Sequence, residues 1–147
     1  MSTPAIRSAK PEDALSILEL WQLAGSFPTR TDNEESIRSL IAHDPEAVLV
    51  AEEGAKLTGS LVAAFDGWRG TLFRLAVLPA YRRRGLGQAL VAEGERRLRE
   101  RGAARIRERG AARINLYAIK AETSAIGFWN AVDYEPDDRC QRFVKNL

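Results

Sequence analysis

The run Leu75-Ala76-Val77-Leu78-Pro79-Ala80-Tyr81-Arg82-Arg83-Arg84-Gly85-Leu86-Gly87-Gln88-Ala89-Leu90 decides how this chain is read. It reads as the end of an apolar strand, a basic glycine-containing turn and the start of a helix. The first N–H groups of a helix have no partner inside it, and they carry a partial positive charge. Gly85 and Gly87 place no side chain in front of such groups. With three arginines crowded into the same turn, the segment predicts a pocket for a multiply charged phosphate ligand. The plain alternative is a basic surface loop that happens to precede a helix, which is how an isolated Gly-x-Gly is usually read.

Outward from that run the elements alternate. Ala5–Ser8 is a short first strand. Pro11, well suited to a first helical turn, opens a helix with Ala14, Leu15, Leu18 and Trp21 on one side and Leu23 as a further candidate. Gly25–Thr31 is a loop. A second helix starts near Asp32 or Asn33, with Glu35 placed for capping, and carries Ile37, Leu40 and Ile41. Val48–Glu52 and Leu57–Phe65 are strands joined by the hairpin signal Glu53-Gly54-Ala55. Asp66-Gly67-Trp68-Arg69-Gly70 turns the chain into an antiparallel strand, Thr71–Val77. The helix from Gly87 has Leu90, Val91 and Leu98 as buried candidates. Ile114–Ala118 is the next strand, Thr123–Val132 a helix and Gln141–Lys145 a closing strand. Because a helix joins Thr71–Val77 to Ile114–Ala118, those two strands should be parallel with a right-handed crossover. The expected fold class is α/β with a mixed sheet in the order β-α-α-β-β-β-α-β-α-β.

Composition bounds the rest. The 147 residues suit one domain, 1–147, and 45% of them are hydrophobic, enough for a substantial core. No apolar stretch approaches the ~20 residues of a membrane span, and the N-terminus lacks the apolar run of a signal peptide. A single cysteine, Cys140, permits no internal disulfide and suits a reducing compartment, so a cytoplasmic location without membrane contact is expected. One histidine, His43, and one cysteine cannot build a typical zinc site, so no metal is expected. The net charge is +2, but arginines concentrate between Arg82 and Arg113.

Within that stretch Arg99-Glu100-Arg101-Gly102-Ala103-Ala104-Arg105-Ile106 is followed at once by an identical octapeptide, Arg107–Ile114. This tandem duplication at 99–106/107–114 leaves a native junction on each side. Ala, Arg and Glu favour helix, so the helix is expected to run past Gly102 and stop near Gly110, with a bulged loop as the alternative. Eight residues are not a whole number of turns, which puts Ile106 about 80° around the axis from Leu98. Either way the disturbance lies far from Arg82–Gly87.

Arg82-x-x-Gly85-x-Gly87 matches the Arg/Gln-x-x-Gly-x-Gly/Ala signature of the GCN5-related N-acetyltransferases, the GNAT family, which the chain resembles over most of its length and most sharply from Thr71 to Tyr134. Its order of elements is also the family's. The resemblance implies that acetyl-coenzyme A is the co-substrate and that strands four and five splay apart at their C-terminal ends. Carried over, the backbone of Leu75, Ala76 and Val77 holds the pantetheine arm. Backbone N–H groups of Arg83, Arg84, Gly85, Leu86, Gly87 and Gln88, beside Arg82, hold the pyrophosphate. The hairpin Asp66–Gly70 with Leu75-Ala76-Val77 looks like that of small bacterial members of the family.

The implied reaction is attack of a primary amine on the acetyl thioester. A lysine-like amine has a pKa of ~10.4, so only about one in a thousand is free base near neutral pH, a deficit of ~4 kcal/mol. The oxyanion needs a fixed donor, for which a backbone N–H near Ala76 or Val77 is placed. Family members often carry a glutamate at the start of strand four and a tyrosine after the phenylalanine of the last helix; here those places hold Thr71 and Trp129. An Asn often precedes that helix, where this chain has Glu122, and Asp133-Tyr134 stands where Gly-Phe is common. Candidate substitutes are Tyr117 as acid and Asp66 or Glu122 relaying a proton through water. The plainer roles are a packed aromatic for Tyr117, a turn former for Asp66 and a helix N-terminal charge for Glu122.

Phe27, Arg30, Trp68 and Trp129 are candidates to line the acceptor pocket, with Trp21 better read as core. His43 reads as a surface residue, and Cys140 has no helix N-terminus beside it and is not read as a nucleophile. The acceptor is expected to be an amine of a small molecule or a protein, and many family members form homodimers. Two other readings compete: a non-catalytic acyl-coenzyme A sensor, and a nucleic-acid surface along Arg82–Arg113. Against the latter, Glu93, Glu95, Glu100 and Glu108 interleave with the arginines and no aromatic residue stands among them.

Overall fold

The computed structural model describes residues 4–103, 113–118 and 122–147. These fall into two compact units, Met1–Leu116 and Tyr117–Leu147. In the first unit five strands stand side by side in chain order: β1 (Ala5–Ser8), β2 (Val48–Glu53), β3 (Lys56–Phe65), β4 (Gly70–Val77) and β5 (Ile114–Leu116). Strands β1 to β4 pair antiparallel, and β5 joins β4 in parallel. This is the mixed α/β sheet expected from the order of elements. The parallel pairing follows from the helix α3 (Leu86–Ala103) that connects its two strands.

One face of the sheet carries α1 (Ala14–Leu23) and α2 (Glu34–His43), packed over Val48, Val50, Val62 and Ala76. A 3-10 turn, Pro11–Asp13, leads into α1. Arg7 holds that turn, bonding Asp13 at 2.7 Å and Glu52 at 2.9 Å. The buried stripe of α1 is Ala14, Ile17, Leu20 and Trp21. Leu15 and Leu23, expected on that stripe, are instead 60% and 58% exposed. The helix is apolar on several sides, so sequence alone left the rotation open, and docking through Ile17 and Trp21 settled it. The cap of α2 also differs from expectation. Asn33 is the N-cap and accepts the Ser36 N–H at 2.8 Å, which makes Ser36, not Glu35, the third residue of the helix.

Helix α3 covers the other face with Leu90, Val91 and Leu98, all buried as expected. Gly94 lets it come close: a Cβ there would stand 2.8 Å from Leu61 Cδ2. Its arginines are matched by carboxylates. Arg96 bonds Glu93 and Glu100 at 2.7 Å each, and Arg101 reaches Asp44 at 2.9 Å. Arg97 joins Glu93 to Ser8 Oγ and the Glu46 carbonyl, lashing the helix to β1 and to the turn before β2. The helix passes through Gly102 to Ala103. The expected stop near Gly110, the orientation of Ile106 and most of the second octapeptide copy lie outside the described residues.

In the second unit, α4 (Thr123–Ala131) sets the Trp129 ring edge-on to Phe128 at 5.1 Å and to Tyr134 at 5.2 Å. Two expectations fail in this part of the chain. Strand β5 ends at Leu116 rather than at Ala118, and Gln141–Lys145 forms no strand. Phe143 and Val144 are 85% and 75% exposed. A strand exists through its ladder, and β-forming residues without a partner remain extended coil.

Candidate active site

The site is built where β4 ends and α3 begins. The β4–β5 ladder covers only Gly70–Leu72 against Ile114–Leu116, while β4 continues to Val77. Among the described residues no strand pairs with Phe73–Val77 on that side. On its other side β4 pairs with β3, and Leu78 N donates to the Thr58 carbonyl at 2.9 Å. Bonded and non-bonded pairs alternate in an antiparallel ladder, so at Gly59↔Val77 the Val77 N–H turns away from β3 and toward the open edge.

Between Val62↔Phe73 and Ser60↔Ala76 the ladder sets Arg74 and Leu75 against Leu61 alone, a β-bulge. Arg74 adopts φ +53° there, which costs a non-glycine residue roughly 1–2 kcal/mol. Buried Ser60 stabilises the bulge. Its Oγ donates to the Arg74 carbonyl at 3.3 Å and accepts from Trp21 Nε1 at 2.9 Å. Trp21 is therefore a core residue that secures the strand, in line with its plainer reading.

After β4, a 3-10 turn (Pro79–Tyr81) leads into the basic turn. Arg83 and Gly85 take φ +62° and +82°, and a Cβ at Gly85 would meet nothing within 4 Å. The Gly85 carbonyl accepts the Ala89 N–H at 2.9 Å, the first bond of α3. The N–H groups of Leu86, Gly87 and Gln88 thus have no intrahelical acceptor. Arg83 and Arg84 are exposed, and the Arg84 guanidinium lies 5.3 Å over the Tyr81 ring. A hydrogen bond to Glu53 raises the Tyr81 hydroxyl above its ordinary pKa and ties this turn to the β2–β3 hairpin. Arg82 is engaged by the chain itself. Its Nε donates to the Val77 carbonyl at 3.0 Å and its Nη2 to the Ala24 carbonyl at 2.8 Å.

The catalytic and acceptor candidates sit as follows. Asp66 closes the β3–β4 turn: one carboxylate oxygen accepts the Arg69 and Trp68 N–H groups at 2.7 and 2.8 Å, and these bonds lower its pKa. Phe27, Arg30 and Trp68 are exposed, and the Arg69 guanidinium lies 4.0 Å from the centre of the Trp68 ring. In the second unit Tyr117 is 60% exposed under the Arg142 guanidinium at 5.2 Å. Glu122 is the N-cap of α4 without a side-chain capping bond. His43 and Cys140 are exposed. Among the described residues, no three His, Cys, Asp or Glu side chains group to hold a metal, and no helix is long and apolar enough to cross a membrane.

Arg74 is the residue that sequence reading missed. Its guanidinium donates to the Phe27 carbonyl at 2.8 Å, Thr29 Oγ1 at 3.2 Å and Asp32 Oδ2 at 2.5 Å. The available signal was a lone cation inside the apolar strand Leu72-Phe73-Arg74-Leu75-Ala76-Val77.

A parallel pair joined over three residues, a bulged strand and an open amide turn at a helix start define an acyl-coenzyme A transferase fold. Residues 15–134 match the acetyltransferase (GNAT) family, and the chain belongs to that family and is an acetyltransferase. An acetyltransferase of Yersinia pseudotuberculosis is 32% identical over 133 residues, covering 90% of this chain and 89% of its own. One of Pectobacterium atrosepticum is 30% identical over 142 residues, covering 97% and 94%. The PaiA N-acetyltransferase from Thermoplasma acidophilum, solved in complex with coenzyme A, has a TM-score of 0.76 at 19% identity, covering 94% of this chain and 92% of its own. AAC(6')-Iy, solved with a bisubstrate analogue, gives 0.72 at 20% identity, covering 99% and 100%. At those identities the two structures show a shared fold.

Proposed function

We propose that this chain moves the acetyl group of acetyl-coenzyme A to a primary amine of a small molecule or a protein. The observation that carries this reading is the unpaired edge Phe73–Val77 running straight into the open amides of Leu86, Gly87 and Gln88. The pyrophosphate sits against those amides, with Arg83, Arg84 and Gly85 around it and the helix start favouring its charge. The pantetheine arm runs along Leu75, Ala76 and Val77. The co-substrate supplies the activated thioester. The chain supplies a fixed donor, the Val77 N–H, toward the oxygen that gains charge. Arg82 steadies the end of the strand by holding the Val77 carbonyl, in the peptide unit that follows this N–H.

For proton transfer the reading favours Tyr117 as acid and Glu122 relaying the amine proton through water. Asp66 is the weakest of the three, because its lowered pKa and its bonds to two backbone amides make it a poor base. Phe27, Arg30, Trp68 and Trp129 remain the acceptor-side residues of this reading.

The test is calorimetry with acetyl-coenzyme A, followed by an acceptor screen read as free thiol. Binding followed by thiol release with an amine supports the enzyme; binding with no release across the screen favours a sensor. Gly85→Glu places a side chain and a negative charge in the open turn, and loss of binding in a variant that keeps its circular dichroism is the expected result. Unchanged affinity in that variant would overturn the placement of the pyrophosphate.

A further inference from the structure

We propose that Arg74 is a positioning residue for the amine acceptor: it straps the loop between α1 and α2 to the bulge of β4 and cancels the charge of Asp32, so that the acceptor side suits a monoamine bearing an aromatic or apolar group rather than a polyamine. This rests on the acetyl-transfer reading above.

Three observations support it. First, Arg74 holds a left-handed backbone conformation inside a strand, and its main chain and side chain are both engaged. Strain of this kind persists only where the surroundings over-determine it, and it concentrates at functional positions. Second, the three acceptors of the guanidinium all lie in one short segment, at Phe27, Thr29 and Asp32. The same Asp32 oxygen also accepts the Thr29 N–H at 2.8 Å, so one carboxylate closes the loop on itself and binds it to β4. The side chains of Arg74 and Asp32 are only 19% and 15% exposed, which strengthens the pair relative to a surface contact.

Third, the strap decides what an approaching amine meets. Asp32 is spent on Arg74 and offers little net negative charge. Arg30 on the same loop and Arg69 on the β3–β4 turn add positive charge. The rings of Phe27, Phe73 and Trp68, on the loop, on β4 and on the turn before it, are 70%, 46% and 65% exposed. Exposed rings of this size are candidates for apolar contact, while a second ammonium group on the acceptor would meet Arg30 and Arg69, with Asp32 already paired to Arg74 and Asp66 held by the Trp68 and Arg69 N–H groups.

The experiment compares 2-phenylethylamine with spermidine in the unaltered protein, Arg74→Met, Arg74→Lys and Arg74→Met/Asp32→Asn. The unaltered protein should prefer 2-phenylethylamine in kcat/KM. Arg74→Met should raise the KM for that amine about tenfold, with kcat and the acetyl-coenzyme A dissociation constant within about twofold. It also bares Asp32, so the ratio of kcat/KM should move about tenfold toward spermidine, and the added Asp32→Asn should reverse that shift. Arg74→Lys keeps the charge and should keep the ratio.

Hydrogen exchange of the Thr29 amide, which needs no turnover, should accelerate about tenfold in Arg74→Met while the Ile37–Ile41 amides stay unchanged. Equal losses for both amines, or an unaltered Thr29 amide, would overturn the strap. Preference for spermidine in the unaltered protein, or binding of acetyl-coenzyme A with neither amine acetylated, would overturn the acceptor class. If the unaltered protein fails to bind acetyl-coenzyme A, the acetyl-transfer reading falls, and the exchange measurement alone decides the strap.

Discussion

The guanidinium of Arg82 grips the end of β4 rather than reaching outward: its Nε donates to the carbonyl of Val77 at 3.0 Å. A second bond, to the Ala24 carbonyl, links the same residue to the end of α1. The first position of the glycine motif therefore acts as a brace between the strand that offers an N–H and the turn that offers several. Arg82→Ala should weaken acetyl-coenzyme A binding about tenfold by calorimetry, since hydrogen bonds from a charged group are worth roughly 1.5–3 kcal/mol before solvent exposure reduces them. Arg82→Lys should not restore affinity, because a single ammonium does not reproduce the planar fork that spans both carbonyls. Wild-type affinity in the alanine variant would remove the brace from the account.

Trp21 reaches the bulge through buried Ser60. Trp21→Phe keeps an aromatic ring but leaves the Ser60 hydroxyl without its donor. A cost of about 1–3 kcal/mol in urea unfolding is expected. A matching drop in acetyl transfer is expected too, since the bulge shapes the edge along which the pantetheine arm runs. A variant of unchanged stability would show that the hydroxyl finds another partner.

Gly94 marks a close approach of α3 to the sheet. A Cβ at this position would stand only 2.8 Å from Leu61 Cδ2, so Gly94→Val forces either the helix or Leu61 to move. Overpacking of this kind costs typically about 1–3 kcal/mol, against the few tenths of a kcal/mol that replacing a helical glycine by valine returns. The melting temperature should fall by several degrees, and a rise would mean that Leu61 rotates away freely.

Acid should loosen α3 through Glu93. Hydrogen bonds from Arg96, reinforced by Arg97, hold its carboxyl down to about 2, against an ordinary value of 4.5. A depressed acid stabilises the fold fully above its unfolded pKa, and that contribution disappears as the pH falls through the folded one. The window is thus from about pH 4.5 down to about pH 2. Because Arg96 is half exposed, the contribution is of order 1 kcal/mol after screening. Glu93→Gln should flatten the decline of stability across that window, as measured by denaturant midpoints.

The amino-acid sequence by itself determined what depends on neighbours along the chain. The strand, turn and helix around Arg82–Gly87, the hairpin at Gly54, and the buried set Leu90, Val91 and Leu98 are all written in spacings of a few residues, because helix and strand periods and positive-φ turns act at that range. Tertiary structure decided what depends on partners far apart. Arg74 meets Asp32 across 42 positions and Trp21 meets Ser60 across 39, so no local pattern records either contact. The rotation of α1 that buries Ile17 and exposes Leu15 belongs to the same class, as does the failure of Gln141–Lys145 to become a strand. A side chain's propensity is its own, but a ladder, a strap or a buried face needs a second surface, and only the folded molecule supplies it.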